Sequence, residues 1–157
     1  MGQVDVRLKL IEMTLNDTWF GVTSSKNNKP VIVRGRQFLS NFIETGDYVE
    51  SIEITWSFRE HTENGIPTSD ENSLMQEVEN SLIKSLEVDL QSILTIVHTC
   101  DNDRTWIFYT KSTDEFLSRL NDTLASYDEV PISIESDADP DWELYKGILK
   151  NNKLDLR

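Results

Sequence analysis

Residues 51–136 run strand, helix, strand, strand, helix, strand, and each helix opens on its own capping box. In Thr68-Ser69-Asp70-Glu71, the Thr68 hydroxyl can accept from the backbone N–H three residues on, and Glu71 can reach back to the N–H of Thr68. Ser112-Thr113-Asp114-Glu115 repeats the device. Behind the first box Met75, Val78, Leu82 and Leu86 recur at helical spacing, widened by Leu74 and Ile83; behind the second stand Phe116, Leu117, Leu120 and Leu124. Each helix therefore has one apolar side to bury.

The segments between show a period of two. Ile52, Ile54, Trp56 and Phe58 alternate with Glu53, Thr55 and Ser57, which predicts a half-buried antiparallel strand. Ser92 to Cys100 and Arg104 to Thr110 flank the polar break Asp101-Asn102-Asp103 and read as a hairpin. Val130, Ile132 and Ile134 close the unit, with Pro131 marking an edge strand or a strand start. Right-handed crossovers in each strand-helix-strand half then predict a ferredoxin-like α+β fold, a βαββαβ antiparallel sheet, over residues 48–136.

Additions are expected at both ends of that unit. Val4, Val6, Leu8 and Leu10 alternate with charged residues, and Thr18–Ser25 meets Pro30–Arg36 across Lys26-Asn27-Asn28-Lys29, so residues 1–36 read as an N-terminal β-meander. Phe38–Ile43 is a short helix candidate before Gly46. Asp139-Pro140 predicts a C-terminal helix over 139–153, with Asp139 as cap and Trp142, Tyr145, Ile148 and Leu149 on its apolar side. Trp142 and Tyr145 are expected to dock this helix onto the sheet and to cover a face left polar by Thr55 and Ser57. All 157 residues suit one domain.

Charge separates the function classes. Residues 37–145 carry five basic against 24 acidic side chains, a net of −19, while residues 1–36 and 146–157 are each +3. So acidic a body repels phosphate backbones, and the strand Asp103–Tyr109 lacks the basic, glycine-containing pattern of RNA-recognition domains, so nucleic-acid binding is rejected. A basic protein partner fits the charge. The sequence has no 18-residue apolar run and no secretion signal at its start, and a single cysteine, Cys100, which together predict a cytoplasmic protein without a membrane partner.

Candidate sites are few. Arg34 and Arg104, with Tyr109, Trp142 and Tyr145, are candidates to line a cleft for a small anionic ligand. Asp137, Asp139 and Asp141 alternate and are candidate ligands for an oxygen-preferring cation, but an EF-hand count from Asp137 puts Trp142 and Ile148 where Gly and Glu are required. His98 and Cys100 share one side of a strand; a buried, satisfied histidine and an inert thiol are the expectation. No nucleophile elbow or phosphate-binding glycine loop is present, so no catalytic residue and no cofactor is assigned.

Trp19-Phe20, Lys29-Pro30-Val31-Ile32-Val33-Arg34, Ile54-Thr55-Trp56, Arg104–Tyr109 and the D-P-x-W-x-x-Y ending at Asp139–Tyr145 together resemble the bacterial domain-of-unknown-function 695 family, over nearly the whole chain. The resemblance brings no catalytic residue. Such domains sometimes occur beside a ribonuclease-inhibitor-like regulatory domain, which implies regulation or protein binding. The expectation is a non-catalytic binding or regulatory module; the alternative is an anionic-ligand-binding protein or hydrolase using Arg34, Arg104 and the carboxylates of 137–143.

Overall fold

The computed structural model describes residues 13–154, so the strand expected over Val4–Leu10 lies outside the described residues. In chain order the elements are β1 (Trp19–Lys26), β2 (Lys29–Arg36), α1 (Ser40–Thr45), β3 (Glu50–Ser57), α2 (Ser69–Glu87), β4 (Ser92–Cys100), β5 (Asp103–Thr110), α3 (Thr113–Leu124), β6 (Ile132–Ala138) and α4 (Glu143–Asn151). The strands form one sheet in the order β1-β2-β4-β5-β3-β6, every neighbouring pair antiparallel. The chain is an α+β fold, and the β1–β2 hairpin extends its sheet beyond β4.

Both tight hairpins use two consecutive left-handed residues. Asn27 and Asn28 turn β1 into β2, and Asp101 and Asn102 turn β4 into β5, all with positive φ; Asn and Asp tolerate this region best after Gly, and the resulting turn matches the strand twist. Gly65 lies on the second turn with φ +78, and a Cβ there would sit 2.7 Å from the Asp101 Cα. Its carbonyl accepts from the Asn102 N–H at 3.1 Å, so the 58–68 loop is pinned to the turn by backbone that only glycine allows so close.

Side-chain alternation divides the core in two. Ile52, Ile54, Trp56, Trp106 and Phe108 meet α2 and α3 through Met75, Val78, Leu82, Leu86, Phe116 and Leu120. On the other face Ile93, Ile96, Ile107 and Tyr109 meet Leu39 and Phe42 near α1, and Trp142, Tyr145 and Leu149 of the C-terminal segment. A sheet with apolar side chains on both faces needs cover on both, which is why the last helix folds back.

The caps are only half as expected. Thr68 Oγ1 accepts from the Glu71 N–H at 3.3 Å, and Ser112 Oγ from the Glu115 N–H at 3.2 Å. Neither glutamate reaches back. Glu71 turns inward to the sheet, and Glu115 pairs with Arg119 at 2.8 Å. The C-terminal helix also starts later than 139: it spans Glu143–Asn151, with Trp142 at its N-cap in the left-handed region. Asp139 still satisfies the orphan donors, its Oδ1 accepting from Glu143 N at 2.8 Å and Oδ2 from Leu144 N at 3.1 Å. Trp142 and Tyr145 do dock on the sheet, but beside Tyr109, and Ser57 stays exposed while Thr55 is half-buried against Thr105.

Candidate functional site

Arg34 and Arg104 come together, beneath α2. The Arg34 guanidinium donates to Glu79 Oε1 at 2.7 Å, and the same oxygen accepts from Trp106 Nε1 at 2.8 Å. Arg104 donates to Thr99 Oγ1 at 2.9 Å and to Asn72 Oδ1 at 3.1 Å. Nearby, Arg36 is buried and forked onto Glu87 at 3.2 Å, while burial pushes the Glu87 carboxyl up against the pull of Arg36. These guanidiniums hold α2 to the sheet.

Tyr109, Trp142 and Tyr145 form the opposite layer. The Trp142 and Tyr109 rings stack at 4.1 Å, and Tyr145 meets Trp142 edge-on at 5.5 Å. Tyr109 donates to Asp139 Oδ2 at 2.6 Å and accepts from Tyr145 N at 3.2 Å; Tyr145 donates to the Arg36 carbonyl at 2.6 Å. Burial raises both phenols far above their ordinary value. The expected single cleft does not form. Arg34 and Arg104 have one strand parity and Tyr109 the other, so the sheet itself lies between the cations and the aromatics.

The three aspartates are not assembled around a cation either. Asp139 is committed to Tyr109 and the first turn of α4, and among the described residues no group of three or more His, Cys, Asp or Glu side chains is placed to hold a metal. His98, expected inside, is exposed, and Cys100 is half-buried. A cavity of about 550 Å³ lined by Leu15, Asp47, Tyr48, Asp89, Leu90 and Lys111 was not foreseen. Its two carboxylates outnumber its one cation, and Asp89 is already held by Arg119 at 2.7 Å.

A different cluster stands on the uncovered part of the aromatic face. The register sets Glu53 of β3 directly across from Glu135 of β6, and Asp137 follows on the same side. Burial, then the neighbouring Glu135 and Asp137, push the Glu53 carboxyl above its ordinary value. Among the described residues no ion pair engages any of the three. The alternation Ser133, Glu135, Asp137 was readable in the sequence; that Glu53 lies opposite depends on β3 pairing with β6.

A family model described as a family of unknown function (DUF695) matches residues 17–149. The chain belongs to the DUF695 family. Neither a curated protein nor a solved structure matches it. In this DUF695 chain the D-P-x-W-x-x-Y ending has a structural explanation: Asp139, Trp142 and Tyr145 all close on Tyr109. Among the described residues of the DUF695 chain no helix is long and apolar enough to cross a membrane.

Proposed function

We propose that the protein is a non-catalytic cytoplasmic module that binds, and thereby regulates, a basic protein partner. The observation that carries this is the unequal use of charge. Arg34, Arg36 and Arg119 are drawn into ion pairs with Glu79, Glu87, Asp89 and Glu115, and Arg104 is held by Thr99 and Asn72. These four arginines are thus satisfied internally, while most carboxylates of the −19 body, among them Glu44, Glu63, Glu77, Asp122, Glu135 and Asp137, are exposed. A surface of one sign speeds encounter with an oppositely charged protein and excludes polyanions. The strand order β6-β3-β5-β4, with α2 and α3 on one face, supports reading residues 48–136 as a ferredoxin-like unit to which β2 and β1 are added.

Affinity capture of the full chain from its native cell, eluted by a salt gradient, tests the reading. The expected result is a stoichiometric basic protein released between about 0.1 and 0.5 M salt, as screening shortens the reach of the acidic field. A co-purifying small anion, or release that ignores salt, refutes it.

A further inference from the structure

Resting on that reading, we infer that the partner binds by adding an extended segment, in which Lys or Arg alternates with apolar residues, to the free edge of β6. Among the described residues β6 ends the sheet and pairs with β3 alone. Ser57 N donates to the Pro131 carbonyl at 3.0 Å, and Asp139 N to the Val49 carbonyl at 2.8 Å. With that register, Ser133, Glu135 and Asp137 bond inward to β3, and Ile134 and Ser136 turn their N–H and C=O groups outward. Such a row of open groups is a template for another strand.

The two sides of β6 specify what that strand carries. Glu135 and Asp137 stand beside Glu53 on one side, while Ile134, on the other, is 39% exposed. A partner strand with cations on its first side and apolar residues on its second meets both. Charges on an edge strand often serve only to prevent aggregation. That purpose does not require a like charge directly opposite inside the same sheet, which is destabilising. The Glu53–Glu135 pair has that geometry, and a cation on an added strand relieves it. The other edge, β1, offers Ser24, Ser25 and Lys26 instead, and has no such demand for a cation.

The test uses the full chain and a fluorescent peptide of about nine residues alternating lysine and valine, matched to the length of an edge strand. Binding is read by anisotropy at about 20 and 150 mM salt. Two further peptides are N-methylated at alternate residues in opposite phase. Only one phase turns its N–H groups toward β6, so one peptide is expected to lose binding and the other to keep it. Replacing Glu53 and Glu135 by Gln and Asp137 by Asn weakens binding about tenfold, several-fold for each exposed carboxylate; circular dichroism melting confirms the variant is folded.

If both phases bind alike while the acidic variant weakens binding, strand addition is overturned and the acidic-surface reading survives. Phase-dependent binding unaffected by the variant overturns the assignment to β6. Failure of every basic peptide to bind at low salt overturns both readings.

Discussion

Replacing Glu71 by Gln tests how the two layers on the α2 face are joined. The Glu71 carboxylate is buried and takes three donors: Trp56 Nε1 at 2.9 Å and Arg59 N at 2.7 Å on Oε2, and Glu60 N at 3.1 Å on Oε1. Burial alone would raise its pKa, but these donors outweigh burial and hold it below the usual carboxylate value. Glutamine keeps the shape but has one oxygen. With that oxygen on Trp56 and Arg59, its amide N–H confronts the N–H of Glu60, leaving a buried donor unmatched and two bonds without charge assistance. We expect a loss of about 2–3 kcal/mol and a melting temperature about 5–10 °C lower at pH 7. The pH dependence is specific. A carboxyl depressed on folding contributes above its unfolded pKa and loses that contribution as pH falls through the folded one, so the gap between wild type and variant narrows as pH falls below the ordinary glutamate value. Melting followed by circular dichroism at pH 7, 5 and 3 reads both effects. A shift under about 1 °C at pH 7, or a gap equally wide at pH 3, would refute the reasoning.

Trp142→Ala removes a buried ring that stacks on Tyr109 and donates to the Tyr48 carbonyl at 2.9 Å. It is expected to cost about 3–5 kcal/mol in chemical denaturation, and a loss below about 1 kcal/mol would show that α4 is not anchored there. Glu53→Gln goes the other way: its carboxyl is raised on folding, so ionisation weakens the fold above the ordinary pKa. Removing that charge is expected to add up to about 1 kcal/mol at pH 7 and nothing at pH 3. A variant less stable than wild type at pH 7 contradicts the like-charge strain.

The element order of this chain was open to sequence reasoning because it rests on short-range chemistry. Capping hydroxyls at Thr68 and Ser112, the period of two through Ile52–Phe58, and the Asn27-Asn28 turn are decided by neighbours within four residues, and each stands where the pattern put it. Pairings between distant residues were not open in that way. Glu71 forms only half its box because the Trp56 indole and two loop N–H groups, brought close by packing, are stronger claimants than the Thr68 N–H. Arg34 and Tyr109 look equally available along the chain, and only sheet parity sends them to opposite faces. Glu53 and Glu135 are 82 residues apart, and backbone pairing alone makes them neighbours. Local propensity names the elements; which carboxylate meets a cation, an indole or another carboxylate follows from the register and layering of the folded sheet.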